Sequence, residues 1–220
     1  MNAAVKRATA TQVGSRDKRT RLIRGAITDA ARDLFMQRGY AATTMQAISE
    51  ASGIPPATVY RLMSSKLGIL KAMLDIAPGG DDEPTAFADR PSARAITDTQ
   101  DPYEQVRRFA NLAADVMSRV APIHAILIGA AAADPDAAAL LKDSSRQRQE
   151  GQARLARLIT RSGAARPGVP ERTLADIVHA LASPEVYRLL TADRGWTTQR
   201  YATWLTATLT NQLLTDPKAR

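Results

Sequence analysis

Residues 43–66, TTMQAISEASGIPPATVYRLMSSK, contain two short helical segments joined by a tight turn. Thr44 is a favourable N-cap, because its hydroxyl can accept a hydrogen bond from a free backbone N–H of the first helical turn. Gly53 can adopt the left-handed conformation that ends a helix, and Pro56 can start the next one because its missing N–H costs nothing there. This layout predicts a helix-turn-helix, the arrangement that reads DNA, while an ordinary helical hairpin is the alternative that spacing alone leaves open.

Positive charge is concentrated around this stretch. The 220 residues carry a formal net charge of +8. Residues 1–70 hold 11 lysines and arginines against 4 acidic residues, whereas the remaining 150 residues hold 19 against 18. Arg61 and Lys66 lie inside the helical segments, so the excess is not confined to a basic tail. A basic module attached to a nearly neutral one indicates a polyanionic partner, which we expect to be double-stranded DNA.

The composition excludes several classes of protein. The chain has no cysteine, and His124 and His179, its two histidines, lie far apart without carboxylates at metal-ligand spacing. We therefore predict no metal and no cofactor, and no acid–base cluster or phosphate-binding loop indicates an enzyme. The N-terminus lacks the apolar core of a signal peptide, and no run of about 18 apolar residues is present. These features predict a cytoplasmic protein without a membrane segment.

The N-terminal third divides into short segments of different character. Residues 18–66 are predicted to form a three-helix DNA-binding domain, because a helical stripe of apolar residues ending at Gly39 precedes the helix pair. Residues 1–17 are polar and aperiodic and predict a flexible basic arm. Residues 67–77 predict a connecting helix. Residues 78–101, rich in proline, glycine and acidic residues, predict a loop or linker that could contain a short helical turn.

The pattern of residues 102–220 is helical throughout. After a first helix, Pro122 is predicted to restart the chain into a second, very apolar helix. A long helix is predicted over residues 135–161, with a polar middle that faces solvent, and two apolar helices, 171–191 and 197–214, follow it. No alternation typical of strands occurs. The fold class is therefore predicted to be all-α, with an N-terminal helix-turn-helix domain and a C-terminal helical domain.

The N-terminal third resembles the DNA-binding region of the tetracycline-repressor (TetR) family of bacterial regulators. The similarity runs from Thr20 to about Leu74, and its spacing is far more specific than that of a generic helix-turn-helix. The residues that carry it are Phe35 with Arg38-Gly39-Tyr40, Thr43-Thr44-Met45 with Ile48, Ser52-Gly53-Ile54, Thr58-Val59-Tyr60, and Ser65-Lys66 with Leu70. Beyond Leu74 the similarity is one of architecture. It implies a variable helical module that binds a small molecule and forms a homodimer.

The resemblance implies DNA-contacting roles for the matching positions. Thr44 would cap its helix and meet a phosphate, Gln46 would reach a base edge, and the start of the next helix would face the major groove. Tyr60 and Lys66 match phosphate-contacting residues. The predicted DNA-binding residues are Thr44, Gln46, Pro56, Ala57, Thr58, Tyr60, Arg61 and Lys66. The alternative for Tyr60 is a half-buried packing residue without a DNA contact. The alternative for Lys66 is an ordinary charged residue at the start of a helix.

The chain departs from the family pattern at the recognition helix. Pro55-Pro56 replaces the usual serine-based entry, so no side-chain N-cap is expected at Pro55. Leu62 stands where a polar residue is frequent, so the phosphate contact of that position is not expected from Leu62, and Arg61 can compensate for it. With Pro56 and Ala57 at the front of the helix, few groups can hydrogen-bond to bases. We expect specificity to rely on van der Waals contacts, DNA shape and the basic arm.

Two predictions concern the C-terminal module, residues 102–220. A cavity between its helices is predicted to take a small hydrophobic effector, with ordinary core packing as the alternative for its apolar walls. The candidate ligand-binding residues are Phe109, Met117, His124, Leu127, Leu158, His179 and Tyr187, with Ile126 as a further wall. The last two helices are predicted to pair with those of a second chain, unless they only complete the monomer core. The candidate interface residues are Leu174, Val178, Tyr201, Trp204, Leu205 and Leu209.

Taken together, these features predict a homodimeric transcriptional regulator. We expect a repressor that binds a palindromic operator and is released by its effector. A ligand-independent architectural DNA-binding protein of the same fold is the first alternative, and an all-helical lipid-binding module or enzyme is the second. DNA binding that weakens steeply with salt would exclude the second alternative, and inducible release would exclude the first.

Overall fold

The computed structural model describes residues 3–81, 83 and 85–215, with side chains described from residue 17 onward. These residues form ten α-helices and no β-strand, which confirms the all-α prediction. The helices are α1 (Ala3–Ala42), α2 (Met45–Ser52), α3 (Pro56–Met63), α4 (Lys66–Ile76), α5 (Pro91–Asp98), α6 (Pro102–Ala131), α7 (Pro135–Arg161), α8 (Glu171–Leu181), α9 (Pro184–Arg188) and α10 (Thr198–Leu213). A 3₁₀ turn (Phe87–Asp89) precedes α5, and a π-helical turn (Leu189–Asp193) follows α9.

Helix α1 is longer than the sequence predicted. It begins at Ala3, so the segment predicted to be an aperiodic arm is helical as far as the structure describes it. Seven of residues 3–17 are alanine, lysine or arginine, which favour helices, and no proline interrupts them. The predicted end is confirmed, because Gly39 has a φ of 79° and breaks the helical geometry. Met1 and Asn2 of the predicted arm lie outside the described residues.

The first four helices share one apolar core. Ile27 and Phe35 of α1 are buried with Ile48 of α2 and with Val59 and Met63 of α3. These residues recur at helical spacing, so each helix turns one side inward and leaves the other exposed. The predicted three-helix arrangement is therefore present, and the burial of its inner side determines which side faces outward.

The corner between α3 and α4 depends on a glycine that the sequence analysis did not single out. Ser65 caps α4 by accepting a hydrogen bond from the Gly68 backbone N–H, at 3.0 Å. A Cβ atom at Gly68 would overlap the backbone carbonyl oxygen of Met63. Because that oxygen belongs to the backbone, it cannot move aside as a side chain would. Glycine at position 68 thus allows α3 and α4 to meet at this angle.

The segment predicted to be a loop, residues 78–101, contains an ordered helix. Ile96 of α5 is buried, and Arg108 of α6 donates a hydrogen bond to the Ala95 carbonyl oxygen at 2.7 Å. Gln105 donates another to the Thr99 carbonyl oxygen at 2.8 Å. The prediction allowed a short helical turn here, and Pro91–Asp98 forms one of eight residues because these tertiary contacts stabilise a helix too short to persist alone.

Helix α6 lies at the centre of the C-terminal module and runs through Pro122 without a break. The prediction of two helices separated at Pro122 is therefore wrong. A proline inside a helix removes one backbone hydrogen bond, and Pro122 is exposed, so the free carbonyl oxygen of the preceding turn can be hydrated. In the part of the chain that the structure describes, α6 alone is long and apolar enough to cross a membrane. Half of its most apolar window is buried inside the protein, as in a core helix.

Helices α7 to α10 pack around α6. The predicted bounds of α7 are confirmed at Pro135–Arg161. Its polar middle was predicted to face solvent on all sides, and this is wrong for Gln152, which is buried. Gln152 donates a hydrogen bond to the Ala182 carbonyl oxygen at 2.8 Å, which satisfies the amide in the interior. A polar residue therefore joins α7 to the end of α8.

Candidate DNA-binding surface

The outward side of α3 carries most of the residues predicted to contact DNA. Pro56, Ala57, Tyr60 and Arg61 are exposed, and Thr58 is half-buried. Tyr60 has 53% of its surface exposed, although large aromatic residues usually bury theirs. The packing alternative for Tyr60 is therefore not supported in the single chain. As predicted, Pro55 provides no side-chain cap to the helix.

Thr44 occupies the N-cap position predicted for it. Its side-chain oxygen accepts a hydrogen bond from the Ala47 backbone N–H at 3.0 Å, and the residue is exposed. A hydroxyl that accepts in this way still has its own O–H to donate. Thr44 can therefore cap α2 and donate to a phosphate oxygen at the same time.

Gln46 is exposed on α2, but its amide already has a partner. Its Nε2 atom donates to the Oε1 atom of Glu50 at 2.8 Å, one helical turn away. Bidentate recognition of adenine needs both the amide donor and the amide acceptor of glutamine. Because the amide nitrogen carries two N–H donors, Gln46 can keep its bond to Glu50 and still offer one N–H and its oxygen to a base. Glu50 also places a negative charge beside the surface predicted to approach phosphates.

Lys66 is tied to the end of α1, a contact that the sequence analysis did not predict. Its Nζ atom donates hydrogen bonds to the carbonyl oxygens of Tyr40, at 2.8 Å, and Ala41, at 3.4 Å. The same atom lies 4.6 Å from the centre of the Tyr40 ring, a cation–π distance. An ammonium group has three donors, so one remains for a phosphate. Lys66 therefore holds α4 against α1 whether or not it contacts DNA.

Hydroxyl groups that the sequence analysis missed hold the turns around this surface. Thr43 is buried and donates to the Gly39 carbonyl oxygen at 2.9 Å, which caps the end of α1. Ser49 is buried and donates to the Ile54 carbonyl oxygen at 2.5 Å, across the turn between α2 and α3. A serine on the apolar side of a short helix was the sequence signal for such a contact. These bonds fix the angle at which α3 is presented.

Both α3 and α1 expose charged side chains. Arg61 is exposed on α3, and α1 exposes Lys18, Arg19 and Arg21 together with Asp17, Asp29 and Asp33. Glu50 is the acidic residue of the α2–α3 pair. Positive side chains around an exposed helix provide the electrostatic attraction to phosphates on which DNA binding depends.

The residues predicted to bind a ligand lie in or against the packed core of the C-terminal module. Met117, His124, Leu127 and Tyr187 are buried, and the remaining three are half-buried. The half-buried residues are Phe109, Leu158 and His179. Their side chains pack among α6, α7, α8 and α9, so a ligand would have to displace some of these contacts.

Polar residues meet where α6, α7, α8 and α9 converge. The Nδ1 atom of His179 lies 3.0 Å from the Oε1 atom of Gln152, and the Nε2 atom of His124 lies 3.7 Å from the Oε1 atom of Glu185. Arg148 donates a long hydrogen bond of 3.5 Å to the His179 carbonyl oxygen. Burial lowers the pKa of both histidines; the positive charge of Arg148 acts in the same direction and Glu185 opposes it. Burial therefore favours the neutral form of both histidines.

A pocket of about 320 Å³ lies at the junction of α4, α5 and α6, and none of the seven predicted ligand-binding residues lines it. Its walls combine apolar side chains with two arginines. The lining residues are Pro78, Gly79, Phe87, Arg90, Pro91, Ser92, Leu112, Asp115 and Arg119. Among the residues that the structure describes, no group of three or more histidine, aspartate or glutamate side chains is placed to hold a metal ion.

Five of the six residues predicted to form a dimer interface are fully buried within one chain. Their exposed fraction is 0%, so they cannot contact a second chain through their side chains. These residues are Leu174, Val178, Tyr201, Leu205 and Leu209. The prediction is wrong for them, because the apolar stripes of α8 and α10 pack against the rest of the module, the alternative that the sequence left open. Trp204 is half-buried and packs against Tyr201 and Trp196.

The N-terminal helices match a known family of sequences. Residues 27–73 match the family model described as bacterial regulatory proteins of the tetR family, which covers the last part of α1 from Ile27, all of α2 and α3, and most of α4. No curated protein sequence matches the chain.

Solved structures with the same fold cover nearly the whole chain. PfmR, a TetR family transcriptional regulator from Thermus thermophilus, is 20% identical over 84% of this chain and 97% of its own, with a TM-score of 0.64. NalD is the secondary repressor of the MexAB-OprM multidrug efflux pump in Pseudomonas aeruginosa. It is 18% identical over 88% of this chain and 97% of its own, with a TM-score of 0.63. SmeT in complex with triclosan is 17% identical over 89% of this chain and 93% of its own, with a TM-score of 0.69. At these identities the likeness establishes the shared fold.

Proposed function

Because this chain belongs to the TetR family of bacterial transcriptional regulators through residues 27–73, we propose that it is a repressor that binds a palindromic operator as a homodimer. The observation that carries the proposal is the exposed side of α3, with Tyr60 half in solvent and Arg61 beside it. An exposed tyrosine hydroxyl and an exposed guanidinium group on one helix are groups that DNA-binding helices use to contact phosphates. We place the protein in the cytoplasm, where its DNA lies.

The proposed contacts divide into those that position the protein and those that read sequence. Thr44, Tyr60, Arg61 and Lys66 would bind phosphates, which fixes the register without reading bases. Pro56, Ala57 and Thr58 would face the major groove, and Gln46 would read a base with its amide oxygen and the N–H that Glu50 does not use. Apolar contacts to thymine methyl groups are what the front of α3 can offer. Much of the specificity would then come from DNA shape.

The proposed dimer uses the outer sides of α8 and α10, since their inner sides are buried in the monomer. Ile177 and Trp204 are half-buried, and Thr203 and Ala207 are exposed on the same helices. Small and apolar residues of this kind let helices of two chains approach closely. Twofold symmetry would place the two α3 helices about one DNA turn, or a multiple of it, apart.

A small hydrophobic effector is proposed to release the DNA by binding within the C-terminal module. The complex of SmeT with triclosan shows that a protein of this fold can hold such a molecule. The candidate contacts remain Phe109, Met117, Leu127, Leu158 and Tyr187, with the neutral His124 and His179 as hydrogen-bonding groups. Because several of these side chains are buried, effector binding would rearrange the core, which couples it to the DNA-binding helices.

A selection from random DNA followed by fluorescence anisotropy tests this function. We expect an enriched palindrome, two chains per duplex in sedimentation, and an affinity that falls steeply as salt is raised. Many unrelated sequences bound equally well, with no release by any apolar compound that binds the protein, would favour the architectural alternative. Absence of salt-dependent DNA binding would reject both DNA-binding functions.

A further inference from the structure

The C-terminal end of α4 is held by two arginines from elsewhere in the chain. Arg119, on α6, donates from Nε to the Ala77 carbonyl oxygen at 2.8 Å and from Nη2 to the Pro78 carbonyl oxygen at 3.0 Å. Arg90, just before α5, donates from Nη1 to the Gly79 carbonyl oxygen at 2.9 Å. Three consecutive carbonyl groups are thus bonded to guanidinium groups. We call this set of contacts, between Arg90 or Arg119 and residues 77–79, the arginine clamp.

Each arginine of the clamp is fixed in turn by an acidic residue. Arg119 pairs through Nη1 with Asp115, one helical turn earlier, at 2.8 Å. Arg90 pairs in bidentate fashion with Asp81, at 2.6 and 2.9 Å. The hydrogen bonds from Arg90 lower the pKa of Asp81 to about 2, so the pair stays charged at neutral pH. Planar, bidentate pairing fixes the orientation of a guanidinium group more strictly than a single contact would.

Two glycines make room for the clamp. A Cβ atom at Gly79 would lie 2.5 Å from the Nη2 atom of Arg90, and one at Gly80 would lie 3.3 Å from the Nε atom of Arg119. Gly80 also has a φ of 79°, a conformation that other residues rarely adopt. The sequence Pro78-Gly79-Gly80 therefore brings the backbone close to both guanidinium groups.

Helix α4 connects this clamp to the DNA-binding helices. At its start, Lys66 is bonded to the end of α1, and Gly68 lies against the backbone of α3. Along its length, Ile69, Leu70 and Met73 are buried in the core. A helix of 11 residues spans about 16 Å at 1.5 Å per residue, and both of its ends are fixed by directional contacts. Helix α1 also packs on α6, but the clamp adds hydrogen bonds whose geometry specifies one orientation.

We propose that Arg119 and Arg90 are positioning residues for operator binding. They act by fixing the angle of α4 on the C-terminal module. In the homodimer of the proposed function, on which this inference rests, that angle sets the distance between the two α3 helices. The clamp therefore determines which half-site spacing the dimer accepts, without touching DNA. Both guanidinium groups also line the 320 Å³ pocket, so a small molecule can reach the clamp.

Binding to single and paired half-sites tests the clamp. The DNA probes are one half-site of the operator selected by the wild-type protein, and two half-sites with the spacing changed one base pair at a time. The first variant, Arg119→Gln, removes one guanidinium group of the clamp. The second, Gly79→Ala, leaves Arg90 in the sequence but displaces its guanidinium group with the added Cβ atom. The matched control is Arg107→Gln, since Arg107 lies on the same helix as Arg119 but is exposed and pairs with Glu104, away from residues 77–79.

We expect both clamp variants to bind the single half-site within about twofold of wild type. Their affinity for the paired site at its best spacing should fall by roughly tenfold, because the second half-site is then no longer presented at the right distance. The spacings that they tolerate should broaden, and the control should match wild type in all three measurements. A merely structural loss would weaken the single half-site as much as the paired one.

Three results would overturn the inference. Equal loss on single and paired sites would show damage to the DNA-binding helices, and an unchanged spacing preference in both variants would show that the clamp sets no distance. In both cases the wild-type protein would still prefer paired sites, so the proposed function would stand. Equal binding of single and paired sites by the wild-type protein would instead reject the dimeric function, and this role of the clamp with it.

Discussion

Replacing Lys66 with alanine tests how the structure joins α4 to the end of α1. The substitution removes the hydrogen bond of 2.8 Å to the Tyr40 carbonyl oxygen, the longer contact of 3.4 Å to Ala41, and the cation–π contact at 4.6 Å. It leaves the buried core of α4 unchanged, because Ile69, Leu70 and Met73 lie further along the helix. The loss of folding stability in this variant therefore measures the contribution of these three contacts.

The magnitude follows from the geometry. A hydrogen bond from a charged donor contributes roughly 1.5–3 kcal/mol to stability, and the lower end applies because Lys66 is only half-buried. A cation–π contact at a partly exposed site adds about 0.5 kcal/mol, and the 3.4 Å contact adds little. Water can replace the ammonium group at both carbonyl oxygens, so no penalty for an unsatisfied group is added. We expect the free energy of unfolding to fall by about 2 kcal/mol.

Urea unfolding measures this loss, and Lys71→Ala is the matched control. Lys71 lies on the same helix, and its ion pair with Asp75 is exposed, so its removal should cost about 0.5 kcal/mol or less. If the remaining donor of Lys66 contacts a phosphate, the slope of log affinity against log salt should also become shallower by about 0.9. Equal stability of Lys66→Ala and Lys71→Ala would refute the assigned contacts.

Three further outcomes are expected. Gly68→Ala should destabilise the protein in urea by about 1–3 kcal/mol, because its Cβ would overlap the Met63 carbonyl, whereas Gly25→Ala, with open space around its Cβ, should stabilise it slightly. Glu50→Gln should raise operator affinity about two- to fivefold at low salt by removing an acidic charge beside the phosphates, an effect that should vanish at high salt. The free energy of unfolding should fall as the pH drops below 6.5, the usual histidine pKa, because burial lowers the pKa of His124 only in the folded state. Urea titrations from pH 7.5 to 5 measure this dependence, and His124→Gln should flatten it.

Local signals in the sequence were sufficient for the DNA-binding helices. The N-cap at Thr44, the left-handed Gly53 and the start of α3 at Pro56 each depend on residues within one or two helical turns, and all three are confirmed. The outward side of α3, which the resemblance implied, is exposed because burial of Val59 and Met63 leaves the opposite side in solvent. The predicted start and end of α7 were also correct, because Asp134 caps one end and a turn closes the other.

Predictions that depended on distant partners failed or were missing. The apolar stripe of α10 fits a dimer interface and a monomer core equally well, and only the positions of the other helices show that Tyr201 and Leu205 are buried in one chain. Lys66 contacts Tyr40, which lies 26 positions away in the sequence, and Arg119 contacts Ala77, which lies 42 positions away. No local sequence pattern predicts either contact. Pro122 looked like a helix start because the packing of α6 on its neighbours, which keeps the helix continuous, is not visible in the sequence.

Photo-crosslinking from position 57 tests the central claim most directly. Ala57 is exposed in the first turn of α3, so a benzoylphenylalanine placed there would lie in the major groove of a bound operator. The same group at Lys142, exposed on α7, serves as the control. We predict crosslinks from position 57 at two symmetry-related positions of the operator and none from position 142. Crosslinks from position 142 with none from position 57 would contradict the assignment of α3 as the DNA-reading helix.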